Sequence, residues 1–138
     1  MRFLFWTAAI LIAVTACNPS SNNVENPSDQ YQNFVTLQEP TENSQSVRIY
    51  IDSVQTIAKN DKTALLISGT FPDACTKLGD AYHHTKDNTL HLELSGWRTP
   101  DTMCAQVLTP FSYIYDKIKI ATLTNHSQII INKTAYSY

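Results

Sequence analysis

From residue 46 onward, apolar side chains recur at every second position in short runs broken by turn residues, a period that fits strands and not packed helices. Val47-Arg48-Ile49-Tyr50-Ile51-Asp52 alternates in this way, so that successive side chains point to opposite faces. Thr63-Ala64-Leu65-Leu66-Ile67-Ser68-Gly69 is more fully apolar. Leu90, Leu92 and Leu94 alternate with His91, Glu93 and Ser95, and Ile118 and Ile120 with Lys117 and Lys119. Gln128 to Tyr136 reads as a β-branched closing strand. Turn chemistry at Lys59-Asn60-Asp61-Lys62, Lys86-Asp87-Asn88, Arg98-Thr99-Pro100-Asp101 and Asn125-His126-Ser127 separates the runs. No window sustains a 3.6-residue period with caps, although a single helical turn fits Thr102 to Val107. The expectation is an all-β domain over residues 46–138, an immunoglobulin-like β-sandwich of about seven strands, with a small β-barrel as the alternative.

Residues 1–16 have a different character. Arg2 supplies a positive start, and Phe3 to Val14 is an apolar run shorter than the roughly 20 residues that cross a bilayer. Val14-Thr15-Ala16-Cys17 closes it, and this pattern resembles the lipobox of bacterial lipoproteins. The resemblance implies cleavage before Cys17 by a signal peptidase of type II and acylation of the Cys17 thiol. It implies a partner in the lipid bilayer and a location on the exported side of a bacterial membrane. An aspartate after the cysteine is the usual inner-membrane retention signal in many enterobacteria. Asn18 stands there instead, which favours the outer membrane, facing the periplasm or beyond.

Residues 17–45 then read as the acylated cysteine and a flexible polar tether, rich in Asn, Ser, Gln, Glu and Pro with no Lys, Arg or Gly. As a flexible chain, the 28 residues after Cys17 would span roughly 30 Å. Phe34-Val35-Thr36-Leu37 interrupts the tether with strand-like content, and either docks on the domain as an edge strand or offers a contact to a partner.

The cysteine count agrees with this reading. Cys17, Cys75 and Cys104 are an odd number, but a lipid on Cys17 leaves Cys75 and Cys104 as an even pair in an oxidising compartment. The formal charge is −2, and losing Arg2 leaves nine basic against twelve acidic side chains, or −3. No basic block appears in the sequence, so neither nucleic acid nor an anionic membrane is expected as a partner through a polybasic run.

Within the domain, Gly69-Thr70-Phe71-Pro72-Asp73-Ala74-Cys75, followed by Cys104-Ala105-Gln106 and Thr109-Pro110-Phe111, is similar to a pattern in small exported bacterial domains. In those, G-x-[LF]-P-x-x-C ends one strand, C-x-Q follows about 30 residues later, and a Pro-Phe step enters the next strand. The likeness covers residues 63–138 and implies an immunoglobulin-like sandwich with a Cys75–Cys104 bridge, and no activity. Such domains often close with V-N-G, where this chain has Ile131-Asn132-Lys133. The residues themselves suggest close backbone approach at Gly69, an end to ladder pairing at Pro72, and aromatic cover from Phe71 and Phe111. Asp73 is read as structural.

Candidate chemistry is sparse. In the His83–His91 hairpin, an Asp87-Asn88 turn would set His84 opposite His91, within reach of a shared zinc or copper ion, with Asp80 or Glu93 assisting. No H-E-x-x-H or cysteine-rich spacing accompanies the pair, and a solvated polar face accounts for both residues, so no metal and no other cofactor is expected. No G-x-S-x-G serine elbow exists, and three glycines cannot build a phosphate-cradling loop, so the chain is not expected to be an enzyme. Trp97 and Arg98, placed on a Trp97–Asp101 loop, form the candidate contact loop. The expected role is a non-catalytic module that binds another envelope protein. The alternative is a periplasmic small-ligand or metal-binding protein that uses the histidine hairpin.

Overall fold

The computed structural model describes residues 31–119, 122 and 127–138; the Val14–Cys17 motif, the first half of the tether and Asn125 lie outside the described residues. Eight strands follow in order: β1 (Gln45–Val47), β2 (Tyr50–Lys59), β3 (Lys62–Phe71), β4 (Lys77–Lys86), β5 (Thr89–Arg98), β6 (Thr109–Tyr115), β7 (Gln128–Ile131) and β8 (Thr134–Ser137). They form a β-sandwich. One sheet runs β2-β3-β6; the other holds β1, β4, β5, β7 and β8 around β5. Leu65, Ile67, Phe71, Leu90, Leu92, Leu94, Phe111, Tyr113, Tyr115, Ile129 and Ile131 fill the space between them. The barrel alternative is not met.

The hairpins follow from local chemistry. Asn60 and Asp61, Asp87 and Asn88, and Asn132 and Lys133 all have positive φ, between 48° and 73°, which is the two-residue turn that matches strand twist. No glycine has positive φ. At Gly69 in β3 the need is space, because a Cβ there would lie 2.4 Å from the Tyr50 carbonyl oxygen and 2.6 Å from the Phe111 ring. Phe111 is the cross-strand partner of Gly69 and lies across it. Phe71 and Phe111 stack with ring centroids 4.4 Å apart where β3 ends before Pro72.

Several runs divide differently from the sequence reading. The Val47–Asp52 run breaks at Arg48-Ile49: β1 joins one sheet and β2 the other, with Ile49 buried between. Gln128–Tyr136 is a hairpin of two strands, because Asn132 and Lys133 take left-handed φ. Lys117–Lys119 is not a strand; Ile118 is a buried anchor in the bend after β6, and Ile120 lies outside the described residues. Thr102–Val107 forms no helical turn and runs as an irregular exposed loop.

The expected tether is bound to the sandwich from Asn33 onward. Val35 N–H donates to the Ser112 carbonyl, and Ser112 N–H to the Asn33 carbonyl, so Phe34 bridges β6 in parallel. Gln38 N–H then donates to the Leu78 carbonyl of β4, which ties the open β6 edge of one sheet to the other sheet. Tyr31 and Phe34 cover Ala64, Leu66 and Ile114 on the outer face of the β2-β3-β6 sheet, and Val35 and Leu37 pack against the main core. No helix among the described residues is long and apolar enough to cross a membrane.

Two strands share one edge of β5. β1 pairs with Gly96–Arg98 and β7 with Leu90–Leu92, which leaves Leu94 between them. The Asn132 carboxamide fills this gap: Oδ1 accepts from Leu94 N–H and Nδ2 donates to the Leu94 carbonyl, both at 2.9 Å. Asn132→Ala is therefore expected to cost about 2–4 kcal/mol by urea denaturation, since it strands two backbone groups. Lys133→Gly should raise stability by about 0.5–1 kcal/mol in the same assay, because glycine holds a left-handed φ without the Cβ penalty.

Candidate functional site

Asp73 organises the end of the sandwich where β3 leaves its sheet. Its side chain is 3% exposed and accepts from the Cys75 and Thr76 backbone N–H groups and from the Thr76 hydroxyl, all on Oδ1 at 2.8–3.0 Å. Its Oδ2 accepts from Arg98 at 2.9 Å. Burial raises the Asp73 pKa, but the hydrogen bonds from Thr76, Cys75 and Arg98 together outweigh it and hold the carboxyl below its ordinary value. The residue thus closes the 72–76 loop and fastens it to the end of β5, as its structural reading from sequence anticipated.

The Cys75–Cys104 disulfide sits on this base, with Cα atoms 5.7 Å apart. It ties the β5–β6 loop, residues 99–108, to the β3–β4 loop, and Ala74 N–H adds a hydrogen bond to the Ala105 carbonyl. The tied loop presents apolar side chains outward: Met103 is fully exposed, Val107 is 55% and Leu108 66% exposed. The disulfide thus restrains a loop that displays three apolar side chains to solvent. The sequence reading missed it because Met103, Val107 and Leu108 carry no periodic signal, and only their exposure distinguishes them.

Trp97 and Arg98 are not on a loop. They end β5, and both are occupied. Trp97 has the outward parity of His91, Glu93 and Ser95, yet is only 5% exposed. Its Nε1–H donates to the Gln38 carbonyl at 2.7 Å, and the Lys77 ammonium lies 5.3 Å from its ring. The tryptophan is a contact residue for the chain's own N-terminal segment, and Arg98 is Asp73's partner. That long-range cover cannot be seen from local sequence.

The histidine hairpin folds in the expected register. His84 faces His91, and their rings stack with centroids 5.0 Å apart. Tyr82 faces Glu93 one step along the same face. His83 points the other way and shares a 2.6 Å hydrogen bond with the Tyr115 hydroxyl. Among the described residues no group of three or more His, Cys, Asp or Glu side chains is placed to hold a metal ion. Tyr113 and Tyr115 belong to the core, where burial pushes both phenols up.

Residues 65–135 match the family model described as the ORF11 beta-sandwich domain. The chain belongs to this family. The match runs from within β3 to the first residues of β8, takes in both bridged cysteines and the apolar loop, and leaves out β1, β2 and the N-terminal segment that clasps the ORF11 β-sandwich. No curated protein and no solved structure matches the chain.

Because the folded Asp73 pKa lies below its unfolded value, its contribution is complete above the ordinary carboxylate range and is lost as pH falls below about 4. Asp73→Asn should lower stability at pH 7 by about 1–2 kcal/mol. It should also lose less stability than the wild type between pH 5 and 2 in urea titrations. Equal acid slopes for the two proteins would contradict the assignment.

Proposed function

We propose that this chain is an envelope lipoprotein, acylated at Cys17 and held on the exported face of a bacterial membrane, the outer one where there are two. Its sandwich serves as a non-catalytic protein-interaction module. The anchor reading is supported by the Val14–Cys17 motif and by the Cys75–Cys104 bridge, which leaves Cys17 as the remaining cysteine in the chain. The module reading is carried by the display of Met103, Val107 and Leu108 on a loop fastened by a disulfide. Restraint before binding lowers the entropy lost on association.

Mass spectrometry of the protein from its own membrane should find a lipid-modified N-terminal peptide beginning at Cys17; an unmodified or uncut N-terminus would refute the anchor. A photo-crosslinker at position 103 or 107 should capture one envelope protein. Met103→Ser, Val107→Ser and Leu108→Ser together should reduce that capture at least tenfold, consistent with loss of about 1.4 kcal/mol or more, while the melting temperature stays unchanged. Undiminished capture by the triple variant would remove the loop from the account.

A second reading uses the histidine hairpin as a metal-binding face, and it draws on the His84–His91 register. Calorimetric titration with zinc and copper decides it. Binding lost in His84→Ala/His91→Ala supports the reading, and a Kd weaker than roughly 100 µM, under about 5.5 kcal/mol, ends it.

A further inference from the structure

The fold gathers lysines that the sequence scatters. Lys59 and Lys62 flank the β2–β3 turn, while Lys117 and Lys119 follow β6. Because β3 and β6 pair antiparallel, with Leu65 opposite Tyr115, these four residues meet at one end of the sandwich. Buried Ile118 anchors the second segment, and its exposed neighbours Lys117 and Lys119 flank it. Lys62, Thr63, Asp116, Lys117, Ile118 and Lys119 line a cleft of about 370 Å³. Asp116, the one carboxylate in the lining, is taken by Lys59 at 2.6 Å, and that hydrogen bond, outweighing partial burial, keeps its pKa low. Among the described residues no carboxylate stands within ion-pair distance of Lys62, Lys117 or Lys119. Lys117 also acts on the Asp116 carboxylate, and Asp61 lies in the turn beside Lys62, so around the cleft four lysines stand against two carboxylates, a local excess of ammonium groups in a chain of net charge −2.

We infer that this end binds phosphate-bearing headgroups of an anionic bilayer surface, an inference that rests on the lipid-anchor reading above. The geometry of the chain favours that source of phosphate. Tyr31, where the described chain begins, packs on Ala64, Leu66 and Ile114, which lie on the lysine half of β3 and β6. Residues 17 to 31 are 14 positions apart, so the anchor site can lie at most about 50 Å away. The apolar 99–108 loop joins β5 to β6 at the other end of the ten-residue β3, roughly 33 Å away at strand spacing. Lysines on the membrane would therefore turn the contact loop outward.

The test is vesicle flotation of a chain beginning at Asn18, which lacks the anchor but keeps every described residue. Vesicles of phosphatidylcholine with roughly 30 mol% phosphatidylglycerol are compared with pure phosphatidylcholine, so that the two differ in anionic headgroups. Binding should require phosphatidylglycerol and weaken as salt rises from about 0.15 to 0.5 M. Lys62→Gln/Lys117→Gln/Lys119→Gln should reduce it roughly 10- to 100-fold, whereas Arg48→Gln/Lys133→Gln should leave it within twofold. A parallel titration with inorganic phosphate, read on the lysine side-chain NMR signals, separates the sources. Phosphate binding without vesicle binding overturns the headgroup inference, as does equal binding to the neutral vesicles or equal loss in both variants. Because the tested chain carries no lipid, failure here leaves the Cys17 reading standing, and failure of Cys17 acylation leaves the flotation result intact.

Discussion

The structure depends on β3 being apolar on both faces. Leu65 and Ile67 point into the core, while Ala64 and Leu66 point away from it, and a two-layer sandwich covers only the first pair. Tyr31 and Phe34 cover the second, so a chain segment that precedes the first strand becomes part of the fold. From there the chain must cross to the other sheet to begin β1. It does so over the open edge between β6 and β4, held to Ser112 on one side and Leu78 on the other. The same demand for cover explains the burial of Trp97, which finds its shelter in the main chain at Gln38. Residues 31–38, which composition assigns to the tether, are thus part of the packed domain.

Much of this was legible in the sequence where the signal was local. The His84–His91 register followed from two turn residues, Asp87 and Asn88, whose short polar side chains tolerate left-handed φ. Leu90, Leu92 and Leu94 declared the inner face of β5 by alternation alone. The Cys75–Cys104 pairing followed from the count of cysteines once Cys17 was set aside. Where the reading failed, the deciding fact lay elsewhere in the chain. Alternation across Val47–Asp52 is unbroken, yet it cannot say that the strand changes sheets at Arg48. Lys133 takes a left-handed φ that its side chain disfavours, so the turn inside Gln128–Tyr136 carried no glycine to mark it. Lys59 and Asp116 are 57 positions apart, and nothing in either neighbourhood tells that they meet.

Taken together, the two ends of the sandwich have opposite characters. At one, Asp73, Arg98 and the disulfide immobilise backbone so that a loop can stay apolar and exposed. At the other, a hairpin and a bend bring ammonium groups around a cleft with a single, already neutralised carboxylate. These two ends are what the interaction and membrane-surface readings proposed above rest on.

The bridge between Cys75 and Cys104 also has a consequence for timing. While thiols stay reduced, as they do where the chain is made, residues 99–108 are held at their middle by little beyond the bond from Ala74 to Ala105. Oxidation supplies the covalent clasp, which at the exported location proposed above would be added only after secretion.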